Sequence, residues 1–136
     1  MTKHLLRIAA AATLLFLIGL THGAAAKRGA EPEPLEPDVA FKFSARMKDP
    51  KTVEITYQIA PGYYMYRDRF AFEVEGAAAG APRIPRGKQI FDANFNQNME
   101  TLRNRLTLVV PLDAEPAGAL VLKATSQGCA DAGVCY

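Results

Sequence analysis

The 136-residue chain sets 16 Lys and Arg against 14 Asp and Glu, a formal charge of +2, and contains two histidines and two cysteines. Both histidines, His4 and His22, lie with Lys3 and Arg7 in the first 26 residues. Without that segment 14 basic residues face 14 acidic ones, so charge-driven binding to nucleic acid or anionic lipid is excluded. A remainder free of histidine also excludes Cys-His and Ser-His catalytic pairs and the usual imidazole metal site.

Residues 1–26 read as a cleavable export signal. Lys3, His4 and Arg7 make a positive start, and Gly23-Ala24-Ala25-Ala26 offers a small-residue cleavage site. Between them Ile8 to Leu20 is apolar but short of the ~20 residues a spanning helix needs. Export predicts a periplasmic, oxidising location in which the two cysteines are free to bond to each other. Residues 27–37, with Pro32, Pro34 and Pro37, predict an extended, mobile lead.

Residues 38–136 suit one domain, and their pattern is that of strands. Val39, Phe41, Phe43, Ala45 and Met47 alternate with polar residues, and Asp49-Pro50 marks a turn. Val53, Ile55, Tyr57 and Ile59 form a second run, broken at Pro61-Gly62, and Tyr63 to Tyr66 follows. Phe70, Phe72 and Val74 predict a further strand, and Gly76 to Pro85 a connection. Ile90 to Glu100 lacks clean alternation, carries three asparagines, and reads as a long loop. Leu106, Leu108, Val110 and Leu112 alternate again, as do Leu120, Leu122 and Ala124. Short strands at regular spacing with turn signals between them predict an all-β, two-sheet antiparallel sandwich.

The chemistry concentrates in Gln127-Gly128-Cys129-Ala130-Asp131-Ala132-Gly133-Val134-Cys135-Tyr136. Asp131 and Gly133 are turn formers, and a tight hairpin there would set Cys129 opposite Cys135, within the range a disulfide tolerates. A purely structural bond is one reading, which would make the chain a non-enzymatic binding module. Loop size weighs against it: closing ~6 residues contributes on the order of 2 kcal/mol, against about 4 for a bond spanning ~65 residues. No Lys or Arg lies between the cysteines, and Asp131 disfavours a thiolate, so the expected thiol is sluggish toward small reagents and fast only with a docked partner of low thiol pKa. Met47, Met65 and Met99 read as gap fillers rather than soft-metal ligands. No cofactor is expected beyond the cysteine pair itself.

The cysteine string, together with Pro61-Gly62-Tyr63-Tyr64-Met65-Tyr66-Arg67 and Phe91-Asp92-Ala93-Asn94-Phe95, resembles the N-terminal periplasmic domain of the DsbD thiol:disulfide interchange family from about Val39 to Tyr136. The resemblance implies an immunoglobulin-like sandwich acting as a thiol:disulfide oxidoreductase in a relay. Such a domain takes electrons from a thioredoxin-like domain and passes them to periplasmic disulfide isomerases and a thioredoxin-like protein of cytochrome c maturation. It implies that Cys135 forms the mixed disulfide, that Cys129 resolves it, that Tyr64 and Tyr66 line the site, and that Phe95 caps it. An aromatic at the centre of an asparagine-rich loop fits a cap, since covering the sulfurs buries it. Some family members carry acidic residues where this chain has Ala93 and Asn94, which leaves a carboxylate there unsupported. The family pattern also continues past the residue after Cys135, into a membrane domain and a thioredoxin-like one. The expectation is therefore a C-terminally truncated domain.

Overall fold

The computed structural model describes residues 33–136. The export signal at 1–26 and residues 27–32 of the lead lie outside the described residues. The lead ends in a helical turn, α1 (Pro37–Ala40), in which the Val39 and Ala40 N–H groups donate to Glu36 O at 3.0 and 2.9 Å. Proline near the first helical position brings a φ already suited to a helix. The strand expected from Val39 therefore starts only at Phe41, and Val39 is an exposed residue of the turn.

The strands β1 (Phe41–Asp49) and β2 (Thr52–Ile59) form a hairpin about Asp49-Pro50, where the Asp49 carboxylate accepts from the Lys51 N–H at 2.9 Å. β2 also pairs with β7 (Arg105–Pro111), matching Val53 with Val110, Ile55 with Leu108 and Tyr57 with Leu106. A second sheet runs in the order β5 (Lys88–Asp92), β6 (Gln97–Leu102), β3 (Tyr63–Tyr66), β9 (Gly128–Ala130). β4 (Ala71–Glu75) and β8 (Val121–Thr125) pair separately. All pairings between these strands are antiparallel.

Alternation explains the main core. Val53, Ile55, Tyr57 and Ile59 from β2 and Leu106, Leu108 and Val110 from β7 are buried, and they join Tyr63, Met65, Leu102 and Ala130 of the second sheet. Phe72, Val74 and Leu122 of the β4–β8 pair pack against the same cluster. The architecture is an immunoglobulin-like sandwich, with its hydrogen bonding divided among three groups of strands rather than two continuous sheets. Among the described residues no helix is long and apolar enough to cross a membrane.

Two expectations are corrected. The stretch Ile90 to Glu100 is no long loop: most of it lies in the β5–β6 hairpin, in register Ile90–Met99, Phe91–Asn98 and Asp92–Gln97. Its pattern hides the strands because the usual preference is reversed. Phe91 is 65% exposed while Asp92, its neighbour, is 3% exposed. The alternating face of β1 is also more open than its pattern implies, since Phe43 and Met47 are exposed and Met47 fills no core gap.

The second sheet sets the site through one close approach. A Cβ at Gly128 would lie 2.6 Å from the Phe41 ring and 2.8 Å from Tyr64 O, so only glycine lets β9 sit this near β3 and β1. Gly128→Ala is expected to lower stability by roughly 1–3 kcal/mol, the scale of an overpacked core. Thermal or urea unfolding checks this, and an unchanged midpoint contradicts it.

Candidate redox site

β3 follows Pro61-Gly62, where Gly62 at φ 82° closes a turn and Tyr63 N–H donates to Ala60 O at 3.1 Å. β9 then pairs with β3 so that Tyr64 faces Cys129 and Met65 faces Gly128. From β9 the chain turns back on itself. Gly128 and Tyr136 exchange backbone bonds at 2.8 and 3.3 Å, Ala130 N–H donates to Val134 O at 2.7 Å, and Gly133 turns the tip at φ 94°. Cys129 and Cys135 are thereby the pair between two hydrogen-bonded positions, where facing side chains come closest. Their Cα atoms are 4.0 Å apart and their sulfurs are bonded.

The two ends of this bond differ. Cys129 is fully buried, whereas Cys135 is an exposed residue on the returning strand. Cys129 belongs to a second, smaller cluster with Tyr64, Tyr66 and Met99, against which Ile90 and Phe95 pack. The Tyr66 Oη lies 3.4 Å from Cys129 Sγ. Tyr64 and Tyr66 meet edge to face with centroids 5.3 Å apart, and Phe95 meets Tyr66 in the same way at 5.4 Å. The Arg69 guanidinium lies over the Phe95 ring, 5.2 Å from its centroid. The structure therefore brings together Cys129, Cys135, Tyr64, Tyr66 and Phe95.

Asn94 and Asp131 take different places. Asn94 is exposed and enters the site only through its N–H, which donates to Asp92 Oδ1 at 2.8 Å. Asp131 directs its carboxylate to Arg103, with Nη1 and Nη2 donating at 3.1 and 2.6 Å. The absence of a cation within the cysteine loop thus does not leave that carboxylate alone, because Arg103 arrives from the β6–β7 corner. That corner was not legible as part of the site.

The residue most clearly missed is Asp92. Its Oδ2 accepts from Tyr66 at 2.6 Å and from Tyr64 at 3.3 Å, and its Oδ1 accepts the N–H groups of Asn94 and Phe95 at 2.8 and 3.4 Å. One carboxylate thus ties the two tyrosines beside Cys129 to the turn that carries Phe95. The hydrogen bond from Tyr66 is the chief reason the Asp92 carboxyl sits below its usual pKa, with the turn N–H groups adding to it and burial opposing. Burial first, and then the bond to Asp92, hold the Tyr66 phenol well above its ordinary value, so it stays a protonated donor. Asp92 accepts the N–H two residues on in an Asx turn, which is a local signal for the turn carrying Phe95 but none for the bonds to Tyr64 and Tyr66.

Fold and site together define an immunoglobulin-like sandwich that carries a half-exposed disulfide on a terminal hairpin beside a buried tyrosine–carboxylate cluster. Residues 31–136 match the family described as thiol:disulfide interchange protein DsbD, N-terminal, and the chain belongs to that family. It is 44% identical over 124 residues to the DsbD of Ralstonia nicotianae, covering 90% of this chain and 20% of that protein. It is 38% identical over 103 residues to the DsbD of Escherichia coli K12, covering 76% of this chain and 17% of that protein. The chain thus spans about a fifth of the length of these curated relatives. Among solved structures, the Neisseria meningitidis DsbD N-terminal domain in the reduced form superposes with a TM-score of 0.67 at 27% identity, covering 75% of this chain and 81% of that one. A complex between the DsbD and PilB N-terminal domains from the same organism matches with a TM-score of 0.66 at 28% identity, over 76% of this chain and 80% of that one.

The Asp92 bonds carry a pH signature. A carboxyl whose folded pKa is depressed stabilises the fold above its unfolded value, about 3.9, and that contribution is lost as pH falls through the lower folded value. Asp92→Asn is expected to destabilise the protein at neutral pH by about 1–3 kcal/mol, the scale of lost charge-assisted bonds. It should also flatten the loss of stability below about pH 4. Urea unfolding of both proteins across the acid range checks this; parallel pH profiles contradict it.

Proposed function

We propose that this domain is a periplasmic thiol–disulfide relay that exchanges two electrons with thioredoxin-like partners through Cys129 and Cys135. One observation carries the reading: a disulfide whose one residue, Cys135, is exposed while the other, Cys129, is buried against Tyr64 and Tyr66. Family membership supports it, as does the solved complex in which the related Neisseria domain binds another protein domain. The amino-terminal export pattern supports the location.

The asymmetry sets the order of events. In the reduced domain the Cys135 thiolate attacks a partner disulfide, forming a Cys135–partner bond and releasing one partner thiolate. Cys129 then attacks Cys135 Sγ as a thiolate, the domain disulfide closes, and the partner's second sulfur leaves. Two electrons have passed to the partner, and protons from solvent and the departing thiols balance the two new thiols. The same steps in reverse let a reduced donor recharge the domain, with Cys129 as the first leaving group. In that state the Cys129 thiol is in place to donate to the Tyr66 oxygen now 3.4 Å away. Turnover needs both a donor and an acceptor, so the domain is one station of an oxidoreductase. Phe95 acts here as a cover that a docking partner displaces and a small thiol does not, while the buried Tyr64 and Tyr66 line the site beneath it.

The alternative of a binding module with a structural disulfide is less well supported. The bond spans a sequence separation of 6 and joins strands already held by backbone hydrogen bonds on both sides of it. As a brace its worth is on the order of 2 kcal/mol.

The test is capture. Cys129→Ser should accumulate a mixed disulfide with an oxidised thioredoxin-like protein, mapped by mass spectrometry to Cys135, and Cys135→Ser should abolish exchange while leaving the fold intact. Absence of any captured adduct would count decisively against the relay. Phe95→Ala is expected to speed reduction of the disulfide by glutathione several-fold; an unchanged rate removes Phe95 from the cover.

A further inference from the structure

Arg103 occupies a corner that the relay reading leaves unused. β6 ends at Leu102 and β7 begins at Arg105 in a different sheet, so the chain changes sheets across Arg103 and Asn104. Asn104 adopts φ 65° to make that corner, and its carbonyl accepts the Ile59 N–H at 2.6 Å. The position is therefore fixed by backbone. From it the Arg103 guanidinium reaches three segments: Nη1 donates to Tyr63 O at 3.2 Å, the fork takes both oxygens of Asp131, and Cζ lies 4.9 Å from the Tyr64 ring centroid. The Asp131 N–H in turn donates to Gly62 O at 2.8 Å. The tip of the cysteine hairpin is thereby tied to the β3 strand that faces Cys129.

Stability is not where this contact matters most. The two side chains are 41% and 53% exposed, and a pair at that exposure contributes about 1 kcal/mol or less. Charge near the sulfurs is another matter. Among the described residues, the ionisable groups on or against the cysteine hairpin and its cluster include Asp131 on the hairpin itself, Tyr64 and Tyr66 on β3, Asp92 on β5, Arg103 at the corner, Arg69 over Phe95, and Tyr63 and Tyr136, the last with its main-chain carboxylate in the chain tested. Of these Asp131 is the side-chain carboxylate closest in sequence to both cysteines, and Arg103 is the cation that pairs with it.

We propose that Arg103 is a positioning residue for thiol–disulfide exchange: by engaging the Asp131 carboxylate it spares the thiolate formed on reduction from an unpaired negative neighbour, and it holds the hairpin tip on the Tyr64 strand. This rests on the relay reading for its biological use, but not for its measurement. Exchange requires Cys135 as a thiolate, and its population near neutral pH depends on the charges around it.

The test uses the reduced, full chain without any partner, following the pH dependence of Cys135 alkylation by iodoacetamide. Arg103→Gln should raise the thiol pKa by roughly half a unit, the scale of one exposed charge nearby, and slow alkylation near neutral pH about threefold. Asp131→Asn should shift it the other way, because Arg103 is then unpaired. The double variant should return near the wild-type value, and Arg103→Lys, which keeps the charge, should stay close to it. A brace without electrostatic effect cannot produce opposite signs that cancel. The inference is overturned if Arg103→Gln and Asp131→Asn shift the pKa in the same direction or not at all, or if the double variant stays displaced like Arg103→Gln. Should Arg103→Gln fail to fold, Arg103→Met, which keeps the bulk of the side chain and removes its charge, carries the same test with the same upward shift expected. Cancelling shifts in a protein that captures no thioredoxin-like partner would uphold the charge effect of Arg103 and Asp131 on the thiol and sink the relay.

Discussion

Everything in the site depends on a register. Antiparallel strands alternate between positions that exchange hydrogen bonds and positions that do not, and side chains approach most closely at the second kind. Gly128 with Tyr136, and Ala130 with Val134, take the hydrogen-bonding roles, which leaves Cys129 and Cys135 as the close pair between them. A slip of one residue between the two segments would put the sulfurs on opposite faces of the hairpin. Glycine at 128 and 133 permits this arrangement, one by allowing β9 against β3 and the other by turning the tip.

The same hairpin makes the disulfide unequal at its two ends. β9 is the inner strand, hydrogen-bonded to β3, so Cys129 is enclosed by Tyr64, Tyr66 and Met99. On the returning segment Cys135 is exposed. A nucleophile arriving from solvent meets one sulfur before the other. The tyrosines add a polar floor under an otherwise apolar cluster, and Asp92 satisfies both hydroxyls while gathering the turn that bears Phe95. Phe95, the two tyrosines and Cys129 are therefore one hydrogen-bonded and packed unit.

How much of this the sequence disclosed follows from which interactions are local. The strands with clean alternation, β2 and β7, were legible because one face of each is buried in a single core, to which β8 adds only the partly buried Leu122. The cysteine hairpin was legible because its turn residues lie between the cysteines themselves. β5 and β6 were not, since Phe91 points outward and Asp92 inward, the inverse of the pattern by which strands are recognised. The helical turn at Val39 was hidden because its residues continue the period-2 pattern of β1. Asp92 and Arg103 escaped for a shared reason: each acts on a residue far along the chain, Tyr66 at a separation of 26 and Asp131 at 28. Phe95 packs against the Tyr66 ring, a burial that an aromatic in a polar turn favours.

The inequality of the two sulfurs can be measured directly. Fully reduced protein, treated with a limiting amount of iodoacetamide and mapped by mass spectrometry, should carry the first label almost wholly on Cys135, with Cys129 labelled only slowly or after unfolding. Equal labelling of the two, or a first label on Cys129, would contradict it.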